Sequence, residues 1–201
     1  MAISTADLVM RSLDTSWDYK RWEQLPDDGN RYEIIDGVLF MTTSPSSFHQ
    51  WIIRMLDRHF GTPAEQRGEL YVYTAPIGLL MPGCDPVQPD FLLVRRENAG
   101  IIADRRIRGV PDLIAEVLSP SNPEQDTETK RGAYARAGVP EYWIIRPATR
   151  DVLVSWQPDA ALGTYTQVRL IRADERLSAA TLPGVSAMVA DLFAGAPDMT
   201  L

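Results

Sequence analysis

Cysteine, histidine and lysine are all scarce in this sequence of 201 residues. Cys84 is the single cysteine, which excludes an internal disulfide and any thiolate metal cluster and agrees with a reducing compartment. With only His49 and His59 for imidazole, a zinc site is disfavoured. A bound metal would then be held by oxygen, as magnesium or manganese are. No apolar run approaches the roughly 20 residues of a membrane helix, and the opening MAISTADLVM lacks a basic-then-apolar signal pattern. A cytoplasmic protein is therefore expected. Internal repeats, low-complexity tracts and linkers are missing too. One domain over residues 1–201 is expected, with its core at about 31–146.

A net charge of −7 excludes a protein that coats nucleic acid, but the charge is uneven. Residues 95–108 carry Arg95, Arg96, Arg105, Arg106 and Arg108 against Glu97 and Asp104. A locally basic flank suits a steered, salt-sensitive encounter with phosphates, although a solvated arginine surface explains each arginine equally well.

What is present centres on residues 89–130. Asp90 opens the apolar run Phe91-Leu92-Leu93-Val94, and Asp112 and Glu116 stand in the second run, Asp112-Leu113-Ile114-Ala115-Glu116-Val117-Leu118. A strand buried on both faces has no ordinary use for a carboxylate, because an unpaired buried charge costs several kcal/mol. Asp90 and Glu116 on neighbouring strands, with the Val117 carbonyl as a third oxygen, could hold a divalent cation for phosphodiester hydrolysis. Of the 20 basic Lys and Arg residues only Lys20 and Lys130 are lysines. In a chain so biased toward arginine, Lys130 is singled out, since an ammonium can lose its proton and a guanidinium cannot. The plain alternative for Lys130 is an i, i+4 pair with Asp126 on a helix surface.

Around this centre the pattern predicts an α/β fold. A short helix is expected over 16–25, then a hairpin over Arg31–Met41 turning at Asp36-Gly37. Glu33 is either the solvent-facing residue of that hairpin or a third carboxylate aimed at the site. Ser44 to Phe60 reads as a helix capped by Ser44, with an apolar stripe of Phe48, Trp51, Ile52, Met55, Leu56 and His59. His49 lies off the stripe, early in the helix, and faces either solvent or a cleft, with solvent the first expectation. Strands follow over 69–81, with Pro76 weakening part of the first, and over 87–94; the arginine-rich loop to Gly109 is expected to be mobile or functional. The strand 111–118, a helix capped by Asn122 with Pro123 first and Gly138 last, and the strand 141–145 form one crossover unit. Antiparallel strands near 151–156 and 165–170 extend the sheet, and a last helix is expected over 188–194.

Taken together, Arg31-Tyr32-Glu33-Ile34-Ile35-Asp36-Gly37, His49-Gln50, Val87-Gln88-Pro89-Asp90, Pro111-Asp112-Leu113, Glu116-Val117-Leu118-Ser119-Pro120-Ser121 and Lys130 with Tyr134 through Trp143 resemble one family. It is the Uma-type restriction-endonuclease family, long known as a domain of unknown function, within the PD-(D/E)xK nuclease superfamily. The resemblance implies a restriction-endonuclease-like core with a mixed sheet flanked by helices, magnesium dependence with manganese as a substitute, and catalytic roles for Asp90, Glu116 and Lys130. It adds Glu33 as a further acid. The superfamily's lysine two residues after the glutamate is replaced by Leu118, so the resemblance implies that Lys130 supplies the amine from the next helix. Two functions stay open: a metal-dependent endonuclease acting on DNA, and an inactive relative that binds nucleic acid or protein. A homodimer is expected from the family likeness and the aromatics near Trp143 and Trp156.

Overall fold

The computed structural model describes residues 9–26, 28–42, 44–119 and 125–196. In chain order these form β1 (Val9–Arg11), α1 (Tyr19–Trp22), β2 (Arg31–Ile35), β3 (Val38–Thr42), α2 (Ser47–Leu56), α3 (Thr62–Gln66), β4 (Leu70–Thr74), β5 (Gly78–Leu80), β6 (Phe91–Arg95), β7 (Arg106–Arg108) and β8 (Leu113–Val117). After these come α4 (Arg131–Ala137), β9 (Glu141–Arg146), β10 (Asp151–Asp159), β11 (Thr164–Ile171), β12 (Arg176–Ser178) and β13 (Ser186–Met188).

The frame is a mixed six-stranded sheet in the order β11-β10-β9-β8-β6-β4. Only β8 and β9 run parallel, joined through α4 as the crossover pattern required, and every other neighbour is antiparallel. A separate three-stranded sheet, β1-β3-β2, carries the predicted hairpin. Its turn needs left-handed backbone at Asp36 and Gly37 (φ 50° and 75°), and a Cβ at Gly37 would strike the Thr15 carbonyl. The fold is therefore α/β, as the sequence predicted.

Alternation along the central strands divides the core into two layers. Phe91, Leu93, Leu113, Ala115, Val117, Trp143 and Ile145 face one side, against α2 and Phe60. Leu92, Val94, Ile114, Tyr142 and Ile144 face the other, against Tyr134 and the hairpin residues Ile35, Val38 and Phe40. Each such side chain contributes about 1.5–3 kcal/mol on burial. Trp143 is fully buried, edge-on to Phe60 at 5.0 Å between ring centroids, so it offers nothing to a dimer surface.

Several boundaries differ from expectation. The first helix is one turn, Tyr19–Trp22, because Asp18 caps it by accepting from the Arg21 N–H (2.9 Å). Ser46, not Ser44, caps α2, its hydroxyl accepting from His49 N–H at 3.2 Å. α2 then widens into a π-type turn, Asp57–Gly61, that holds His59. Gly61 is required there, since a Cβ would lie 2.6 Å from Asp57 Oδ1 and 2.9 Å from Val72 Cγ2. The strand expected over 69–81 breaks at Ala75-Pro76 into β4 and β5, which join different sheets.

The arginine-rich stretch is not a loose loop but a 3₁₀ turn, Arg96–Ile101, followed by β7. Arg96 lies over the Tyr71 ring (4.1 Å), and Arg106 lies over Trp22 (4.9 Å) and pairs with Glu23. At the other end, Met188 belongs to β13, and only a 3₁₀ turn, Val189–Leu192, follows in place of a helix. The caps expected at Asn122 and Pro123 lie outside the described residues.

Candidate active site

The antiparallel pairing of β6 with β8 matches Phe91 to Ala115. One step further that register sets Asp90 opposite Glu116. There the ladder is continued by side chains: Asp90 N–H donates to Glu116 Oε2 (3.3 Å), and Val117 N–H donates to Asp90 Oδ2 (2.8 Å). In an extended strand the N–H and C=O of one residue point to the same side. The Val117 carbonyl therefore also faces Asp90. Both acids are 1% exposed.

Glu33 arrives from the other sheet. On β2 it points inward, 1% exposed, and its Oε1 accepts from Gln88 N–H at 2.8 Å. The reading of Glu33 as a solvent-facing residue is thereby corrected. Arg31, two residues earlier and so on the same face of the strand, places Nη1 on Asp90 Oδ1 and Nε 4.0 Å from Glu33 Oε2.

Lys130 closes the group. It ends the π-type turn Gln125–Lys130 just before α4, is 1% exposed, and holds Nζ 3.0 Å from both Glu33 Oε2 and Glu116 Oε1. The surface role for Lys130 is therefore excluded. Tyr134, four residues along the same helical face, donates its hydroxyl to Glu116 Oε1 at 2.8 Å.

His49 contradicts the solvent expectation. It is buried, with Nε2 3.1 Å from Asp90 Oδ2, although its N–H is not aligned for a hydrogen bond. Ile53 is buried as well, so the buried arc of α2 is wider than the apolar stripe and takes in His49.

Electrostatics explain how so many charges share one buried place. Burial would raise the Asp90 pKa, yet the charges of Arg31, then His49 and Lys130, hold it well below the carboxylate range. Burial likewise opposes the Arg31 charge, and Asp90, Glu33 and Glu116 outweigh it, raising its pKa further. Tyr134 is pushed well above its ordinary value by burial and by Glu116 and Glu33, so it remains a neutral donor. Burying a lone ion costs several kcal/mol, and only mutual pairing makes this cluster tolerable.

Asp112 is not part of the cluster. It accepts from Arg95 N–H (2.7 Å) and Asn98 Nδ2 (2.7 Å), fastening the turn after β6. The sequence thus marked Glu33, Asp90, Glu116, Val117 and Lys130, and the fold brings them together. It passed over Arg31 and Tyr134 as members of the cluster, and reached His49 only through its cleft alternative. Spacing carried a signal for two of these: Arg31 is two residues from Glu33 on a strand, and Tyr134 is four from Lys130 on a helix.

An all-oxygen donor set of this kind suits a hard cation. Glu33 Oε2 and Gln88 Oε1 are buried without an aligned hydrogen-bond donor, and for Glu33 Oε2 the Lys130 ammonium 3.0 Å away is the electropositive partner. Among the described residues no three His, Cys, Asp or Glu side chains form a ready metal cage. The oxygens that could take a hard cation are those of Asp90 and Glu116, with the Val117 carbonyl beside them.

The comparisons agree with the fold. A structure described as "a putative nuclease belonging to DUF820 from Anabaena variabilis ATCC 29413" superposes with a TM-score of 0.73 at 16% identity, covering 88% of this chain and 97% of that one. No curated protein matches the chain. A family model, Uma2, described as "Putative restriction endonuclease", matches residues 18–191. The chain belongs to the Uma2 family.

Proposed function

We propose that the protein is a divalent-cation-dependent endonuclease that hydrolyses phosphodiester bonds in DNA. The family and the fold support a nuclease. The observation that carries the finer reading is the convergence of three buried carboxylates from separate elements, Glu33 and Glu116 both on the buried Lys130 ammonium and Asp90 beside Glu116. Such a cluster does little for stability, because well-packed apolar residues would serve as well or better. Function explains it.

Asp90, Glu116 and the Val117 carbonyl would hold Mg²⁺, with Mn²⁺ as a substitute. When bound, the cation supplies positive charge to the scissile phosphate and acidifies a water. Lys130 holds its ammonium beside the same carboxylate, Glu116, where it adds charge for the phosphate and orients the attacking water. Glu33 fixes the Lys130 ammonium from the far side. Tyr134 keeps Glu116 oriented.

The test is nicking of supercoiled plasmid with Mg²⁺ or Mn²⁺ beside Asp90→Ala. Wild type is expected to nick and the variant to lose at least about a hundredfold. Equal nicking by both removes the proposal.

A second reading, a non-catalytic module that binds nucleic acid or protein, is favoured by one observation: Arg31 and Lys130 already pair with the three acids. It predicts no nicking and no Asp90-dependent heat when Mn²⁺ is titrated in a calorimeter.

A further inference from the structure

We infer that Arg31 is an internal stand-in for the metal, released from Asp90 when the cation binds so that its guanidinium can hold the substrate phosphate. This rests on the reading of Asp90 and Glu116 as cation ligands.

The first support is charge. Among the described residues, the Arg31 and Lys130 side chains lie against the carboxylates of Glu33, Asp90 and Glu116, and His49 Nε2 stands 3.1 Å from Asp90 Oδ2. Entry of a divalent cation would crowd further positive charge into this buried place, where an unbalanced charge costs several kcal/mol. Of the two cations, Lys130 is 1% exposed and gripped by two acids, whereas the Arg31 side chain is 21% exposed. Only Arg31 has an easy way out toward water.

Position is the second support. Asp90, Glu116, Glu33 and Lys130 are nearly sealed, and Arg31 is the cluster's most exposed charged group. Its Nη1 sits on Asp90 Oδ1, an oxygen a metal would require, while Asp90 Oδ2 is engaged by the Val117 N–H. Chemistry is the third. A guanidinium's planar fork matches two phosphate oxygens as well as it matches a carboxylate, so one group can serve both partners in turn.

The experiment is Mn²⁺ titration of the full chain by calorimetry and by electron paramagnetic resonance. Wild type, Arg31→Gln, Arg31→Lys and Glu116→Gln are compared, with single-turnover plasmid cleavage alongside. Arg31→Gln is expected to bind Mn²⁺ about tenfold more tightly, about 1.4 kcal/mol, because the competitor is gone. Its cleavage is expected to slow by about a hundredfold for lack of a phosphate partner. Arg31→Lys is expected to keep wild-type Mn²⁺ affinity and recover part of the cleavage. A purely structural Arg31 would give the opposite sign, weaker binding in Arg31→Gln. Binding equal to or weaker than wild type, in a variant whose circular dichroism melt shows it folded, overturns the inference while leaving the metal reading intact. If wild type binds no Mn²⁺, or Glu116→Gln binds as wild type does, the metal reading falls and this inference with it.

Discussion

Asp90 and Glu141 stand at the heads of two strands in the same sheet, and both are buried. Glu141 meets neutral donors: the Trp143 indole N–H at 2.7 Å, and the N–H and hydroxyl of Thr181 at 3.2 and 3.4 Å. Burial wins there, and the Glu141 pKa is raised despite those hydrogen bonds. Asp90 meets Arg31 and His49, and burial loses. Burial alone therefore does not mark a reactive carboxylate. What marks it is burial with cations brought from separate elements, an arrangement that only a site has reason to assemble.

The strongest way to break this contrast is to take a cation out of the Asp90 region. Lys130→Met is expected to leave Glu33 and Glu116 without their shared partner and to cost about 3–5 kcal/mol in urea denaturation, abolishing cleavage as well. Little loss would show that the carboxylates are held by something other than the lysine.

A smaller change removes one neutral donor from the charged site. Tyr134→Phe is expected to cost about 1–2 kcal/mol, since Glu116 keeps Lys130 but loses a hydrogen bond. Cleavage is expected to fall with it, and an unchanged rate would make Tyr134 structural only.

The finest test is acid. A carboxylate whose folded pKa is depressed contributes stability above its unfolded value, near 3.8 for Asp90, and loses that contribution as pH falls toward the depressed value. One whose pKa is raised contributes below its unfolded value, near 4.5 for Glu141, and loses the contribution as pH rises through the raised value. The penalty of Asp90→Asn is thus expected to be largest at neutral pH and to shrink in acid. That of Glu141→Gln is expected to be largest in acid and to shrink toward neutral pH. Denaturation midpoints from pH 3 to pH 8 decide it; parallel curves would erase the distinction between the two acids.

The hairpin was legible because Asp36-Gly37 separates two apolar runs, and the parallel pair because residues 111–145 read strand, helix, strand. Glu116 and Asp90 were legible for a different reason, being acids where apolar residues belong. Arg31 was not. Among eighteen arginines in a basic total of 20, no single one stands out until the fold sets it on Asp90. Solvent was the first expectation for His49, ahead of a cleft, because the apolar stripe records only which residues prefer oil. The covered face of α2 also includes a polar residue that Asp90 makes welcome. Asp112 shows the limit of that signal, an acid in an apolar run that only ties down a turn.

Glu33 and Arg31 ride on the three-stranded sheet, whereas Asp90 and Glu116 ride on the six-stranded one. The seam between the two sheets is apolar along Ile35, Val38 and Phe40 but is riveted at one point by ions. Whatever alters the charge at that rivet also alters how firmly the two sheets are clasped.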